Sequence, residues 1–344
     1  MAEVAKYVPS VSLGASQSPD EDPLVVKFQP IDEGKVLALD WSSDGQSLAY
    51  GHSLGVCILT RQPPSSGVHE SGFQAHWQCT KSYQYLGSPA ELVRFEGVFV
   101  VAAHPDYTMS LVDATSGELT RLVGSNGHRA AISDIDLTSN GLVASVGLDR
   151  NLVVWEDGSA FRFRLDGPGQ KVRFWDDNNS DRVVVVDGTN RIRILDWRRG
   201  CWLLTIYTGQ DCGPIQEIGI YNNDVLAIGD GWWKRYNLSS LSGGCGYTRP
   251  FDSGTLGATS HSKGMYKFSR NQHIAYASGS GAVIYDLVSF SEHGSQVEYS
   301  IPTPRSLALR PRGDVLAVGS GNGITLVRNR YLGYETDDQV VIVD

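Results

Sequence analysis

Long apolar runs are missing from these 344 residues. The longest, "VFVVAA" at 98–103, falls far short of the roughly 20 residues that cross a bilayer as a helix. The start, "MAEVAKYVPSVSLGASQSPDEDP", lacks a basic stretch leading into an apolar one, so a cytosolic or nuclear protein is expected. Cysteine is sparse: Cys57, Cys79, Cys201, Cys212 and Cys245 make an odd set without any Cys-x-x-Cys pair. That set argues against a disulfide framework or a zinc site and for free thiols in a reducing compartment. An excess of positive charge is missing too. The net charge of −9 opposes non-specific binding to nucleic acid by the chain as a whole. No 3.6-residue apolar stripe marks an amphipathic helix.

What the chain has instead is short strands and turns, repeated. Residues 127–155, "GHRAAISDIDLTSNGLVASVGLDRNLVVW", read as three strands broken by "TSNG" and "GLDRN". The inner motif, two apolar positions and then a bulky apolar anchor before a turn, occurs seven times. The anchors are Trp41, Phe95, Leu137, Phe174, Ile220, Phe268 and Leu309, 37 to 54 residues apart. A mean spacing of about 45 is the period of four-stranded propeller blades. After most anchors a polar turn leads into a strand of small apolar residues, as in "SLAYGH", "LVASVG" and "VLAVGSG", and a third strand closes every unit. The fold expected is all-β, a seven-bladed β-propeller over 23–344, with 1–22 as a flexible tail rich in Ser, Pro and acid. A terminal strand should close the ring, from "LVVKFQP" at 24–30 or "QVVIVD" at 339–344.

Within the third unit His128, Ser145, Asp149 and Trp155 stand in the order "GH … S … D … W", with Ser145 ten and Asp149 six residues before Trp155. This resembles the WD40 repeat, and the resemblance implies a structural tetrad running from the indole through the hydroxyl and imidazole to the carboxylate. The other six units lack the full set. A hydrolase triad would use the same residue types, but Ser145 lies within a strand, without a Gly-x-Ser-x-Gly elbow. "GSGNG" at 319–323 sits between strands rather than before a helix, so it reads as a hairpin and not as a phosphate cradle.

A narrower resemblance rests on strings in a shared order: "VVKFQP", "PGQKVRF", "DGTNRIRILD", "GDGWWKRYNL" followed by "RP", and "LAVGSGNGITLV". Together they are similar to the WD40 nucleoporins of the Y-shaped nuclear pore scaffold. That similarity implies a non-enzymatic subunit at the nuclear envelope. It also implies docking on a large nucleoporin built of a propeller and an α-solenoid, near the AT-hook nucleoporin that tethers chromatin. It implies no cofactor, no metal, no small-molecule substrate, no direct nucleic-acid contact and no membrane insertion. A WD40 adaptor outside the pore and a propeller enzyme are the competing classes. The eight histidines share no spacing across blades, and no convergence of His or carboxylates on the channel is visible, so no catalytic residue is assigned.

Two stretches stand out as partner-binding candidates. Residues 160–200 carry nine Arg or Lys against six Asp and include Arg198 and Arg199. Trp202, Trp232 and Trp233 are the second set, since arginine and aromatic side chains are typical binding hot spots. The plain alternative is solvated outer strands for the arginines and core packing for the tryptophans.

Overall fold

The computed structural model describes residues 25–28, 35–61, 77–84, 88–175, 181–208, 213–221, 224–238, 250, 252–255, 265–268, 273–277, 281–286, 296–300, 304–320 and 323–328. These form seven antiparallel sheets of four strands each, a seven-bladed β-propeller without helices. In blades one to six the strands, a to d from the channel outward, follow chain order. Blade three, for example, is Ile132–Leu137, Val143–Gly147, Asn151–Glu156 and Ser159–Arg164.

All seven anchor residues fall on the innermost strand of their blade: Ala38–Trp41, Leu92–Glu96, Ile132–Leu137, Gly169–Phe174, Ile215–Tyr221, Tyr266–Phe268 and Ser306–Leu309. The reason is geometric. An inner strand is pressed between two neighbouring blades, so its bulky position has to be apolar, and the turn after it has to bring the chain straight back. Each seam between adjacent blades holds one apolar cluster, seven in all. The core is therefore a ring of seams.

Closure is made by Val25–Phe28, which pairs antiparallel with Gly323–Arg328 and becomes the outer strand of the seventh blade. Of the two strands considered for this role, the N-terminal one fills it. The other, 339–344, lies outside the described residues, as does the tail expected at 1–22. In blade seven Ser320 pairs with Gly323, joining the two strands as a hairpin.

Candidate functional site

The third blade brings His128, Ser145 and Asp149 together where the connection from blade two meets the turn between strands b and c. His128 Nδ1 lies 3.0 Å from Asp149 Oδ1, and His128 Nε2 lies 2.9 Å from the Ser145 hydroxyl. A carboxylate facing Nδ1 fixes the proton there, so Nε2 accepts from the serine. Asp149 also accepts the backbone N–H of Arg129 at 3.0 Å. Burial works to raise the Asp149 pKa, but the bonds from His128, Asn151 and Arg129 outweigh it and hold the carboxyl well below its ordinary range. The relay stops at the serine: the Trp155 indole N–H is buried and meets no acceptor among the described residues. Trp155 is instead held by packing, 2% exposed in the seam between blades two and three. Ser145 is fully buried, which leaves no room for a substrate at its hydroxyl. Blade two holds a shorter version that the sequence reading missed. There His104 Nε2 meets the Ser110 hydroxyl at 2.9 Å and Nδ1 meets the Pro89 carbonyl at 2.9 Å.

The channel corrects a second expectation. Carboxylates and cations do gather on the inner strands, where those one or three places before the anchors of blades one to four reach the next blade. At one place before, the seven units read Asp40, Arg94, Asp136, Arg173, Gly219, Lys267 and Ala308; at three places before stand Asp134, Lys171 and Glu217 in units three to five. That alternation of sign was the signal available in the sequence.

These groups form a belt linking blade to blade. Asp40 accepts the N–H of Phe95 at 2.9 Å, and Asp136 that of Phe174 at 2.7 Å. Asp134 accepts the N–H of Val172 at 3.1 Å. Arg94 donates to the Ile135 carbonyl at 3.1 Å and pairs with Asp134 at 3.2 Å. Arg173 bridges Asp134 and Glu217, and Lys171 reaches Glu217 at 3.4 Å. Burial favours the neutral acid at Asp134, but Arg173, Lys171 and Arg94 overcome it and keep the carboxyl ionised. At Asp136 burial prevails over Arg173 and Arg94 and raises the carboxyl to about 6. Burial likewise lowers Lys267 to about 8. Every carboxylate named in the belt holds a backbone N–H or a cation, so the arrangement ties blades together.

The partner-binding candidates separate into different environments. Arg198 pairs with Glu156 of blade three and with Asp181 at 2.7 Å, which makes it a clamp between blades. Arg199 is 80% exposed, with Asp196 at 3.6 Å. Trp202 lies under the Arg193 guanidinium, 3.8 Å from its ring centroid, and packs against the seam between blades three and four. Trp232 and Trp233 point to opposite faces, as neighbours in a strand must. Trp232 is packed against the seam of blades four and five, and Trp233, 6% exposed, sits in that of blades five and six. Trp233 is thus packed in the ring, whereas the Arg198 side chain is 45% exposed with its charge paired to Glu156 and Asp181. Much of the remaining basic stretch is also engaged internally. Arg162 donates to the carbonyls of Ser125, Asn126 and Gly127, and Arg164 donates to that of Asp149.

Comparison with protein-family models gives no match to this chain, and comparison with curated proteins gives none either. The seven four-stranded blades and the His128–Ser145–Asp149 constellation are what a WD40-type propeller has.

Proposed function

We propose that this chain is a non-enzymatic scaffold subunit of the Y-shaped outer-ring complex of the nuclear pore, docked one-to-one on a large nucleoporin with a propeller and an α-solenoid. The observation that carries the reading is the ordered set of strings similar to WD40 nucleoporins, now placed on the fold. "VVKFQP" covers the closing strand, "PGQKVRF" the inner strand of blade four, and "LAVGSGNGITLV" the hairpin of blade seven. The belt supports the non-enzymatic part, because its carboxylates are engaged by neighbouring blades. Docking falls to loops and outer edges, since the faces of each blade are buried against the next, and a stable dock buries more than about 1,000 Å².

The test is reconstitution. Purified full-length chain and candidate Y-complex solenoid nucleoporins, mixed at moderate salt and run on a sizing column, should give a one-to-one complex. Separate elution from every solenoid subunit would defeat the nuclear pore reading and favour a WD40 adaptor acting elsewhere.

A further inference from the structure

The turns between strands b and c of blades two, three and four share one geometry. The last turn residue donates its N–H to a carbonyl three places back: Tyr107 to His104 at 3.1 Å, Arg150 to Gly147 at 3.2 Å and Asn190 to Asp187 at 2.9 Å. Each of these residues lies at positive φ, 67°, 60° and 59° respectively. Glycine takes that conformation freely, and the residue just before strand c of blade five is Gly231, at φ 74°. Asparagine tolerates it because its short polar side chain bonds locally, whereas tyrosine and arginine are strained there.

Neither strained side chain is repaid by packing. Tyr107 is 44% exposed and Arg150 is exposed, and among the described residues neither side chain makes a hydrogen bond or ion pair. Strain held by the backbone without any gain in the fold points to a use outside it. Their neighbours share the peculiarity. Leu148, beside Arg150, is 56% exposed, and Leu54 in the matching turn of blade one is 37% exposed. Arg129 is exposed and is held in place by its backbone bond to Asp149, while its side chain makes no bond or ion pair among the described residues.

All these residues lie on one face, because strands alternate in direction and every b–c turn and d–a connection falls at the same end of its blade. The anions of that rim are mostly engaged. Asp106 pairs with Arg121 at 3.7 Å, and Asp149 is held by His128. Glu91 remains as an exposed carboxylate against the two unpaired arginines. We infer that this rim of blades one to three docks an acidic protein segment carrying an apolar side chain, with Arg150 and Arg129 taking its carboxylates and Tyr107 and Leu148 its apolar group. The inference does not depend on the nuclear pore reading.

The experiment separates binding from folding. Full-length wild type, Tyr107→Gly and Arg150→Gly are titrated into a fluorescein-labelled peptide of Asp, Glu, Leu and Phe, and into a matched peptide with Lys in place of the acids. The acidic peptide should bind wild type about tenfold more tightly than its basic counterpart. Each glycine variant should bind it about fivefold more weakly while melting at the same temperature or higher, since the strained turn is relieved. Equal binding of the two peptides, unchanged affinity in both variants, or a fall in melting temperature alongside the lost binding would overturn the inference.

Discussion

The inner strands of blades one to five are joined directly by charged side chains, and those from blade five round to blade one mainly by apolar and aromatic contact, with Lys267 of blade six and Arg310 after blade seven's inner strand among the charged groups there. Across the first arc every step is crossed by a carboxylate or guanidinium: Asp40 to Phe95, Arg94 to Ile135, Asp136 to Phe174, Arg173 to Glu217. At the next step the corresponding place is Gly219, where a Cβ would stand only 2.8 Å from the Phe268 ring, so backbone and aromatic meet directly. At the closing seam the Trp41 indole donates to the Ala308 carbonyl at 3.1 Å. One ring thus uses two chemistries for the same geometric task. Apolar seams supply burial without regard to which neighbour arrives, whereas a carboxylate aimed at one N–H accepts only a neighbour in the right register. We expect the charged arc to act more on blade order and alignment than on stability, since desolvation offsets much of what a buried ion pair gains.

The severest way to break this comparison is to remove the cation that two blades share. Arg173→Met leaves Asp134 and Glu217, 3% exposed each, facing one another without their bridge. Losing one partner of a buried pair costs roughly 3 to 5 kcal/mol, read as a lower urea midpoint. Adding Asp134→Asn and Glu217→Gln should restore most of the loss, because the penalty lies in the uncompensated charges. A small loss for Arg173→Met alone would mean that the belt is ornamental and the seam clusters carry the ring unaided.

The apolar half of this organisation could be read from the chain and the charged half could not. Seven bulky anchors at a regular period disclose inner strands, because burial between two blades leaves few residue types that fit. The same pressure does not act on the outer strands. Leu119–Leu122 is mostly exposed, and its composition carries little pattern. The His128–Ser145–Asp149 contacts were visible in the spacing of a known repeat. The missing acceptor for Trp155 was not, since it depends on where an indole settles to within an ångström or so. Residue type gives the hot-spot chemistry of Arg198 and Trp233 but not their surroundings, a paired side chain at the surface for the first and a packed seam for the second. Tyr107 and Arg150 are not legible as turn residues, because a backbone at positive φ leaves no mark on sequence unless the residue is glycine.

A gentler probe sharpens the charged arc through pH. Burial raises the Asp136 carboxyl to about 6, more than the nearby Arg173, Arg94 and Phe174 N–H can offset. The folded protein thus keeps a proton that the unfolded chain, with a carboxyl near 3.9, gives up earlier. Between about pH 4 and 6 this group makes stability fall as pH rises, with its contribution fully present below the unfolded value and gone above the folded one. Asp134 and Asp149 are held low and act in the opposite sense, but at lower pH. Asp136→Asn keeps an oxygen for the Phe174 N–H and removes the buried charge, so it should flatten this fall and raise stability at pH 7 by on the order of 2 kcal/mol. Urea unfolding at pH 4.5 and 7 checks it. A variant less stable than wild type at pH 7 would show that the carboxylate's ion pairs outweigh its burial.

The smallest effect separates the two buried indoles. Trp41 in the closing seam is 4% exposed and Trp155 in the seam of blades two and three is 2% exposed, so replacing either with Phe removes a similar volume from a similar surrounding. Only Trp41 donates its N–H, to Ala308 across the closing seam; the Trp155 N–H is already without an acceptor among the described residues. Trp41→Phe loses a hydrogen bond and strands a carbonyl, while Trp155→Phe removes a buried donor that was never satisfied. The first should therefore be less stable than the second by about 1 kcal/mol, at unchanged dependence on urea. Equal midpoints would mean that the indole's hydrogen bond adds nothing to the packing of the closing seam.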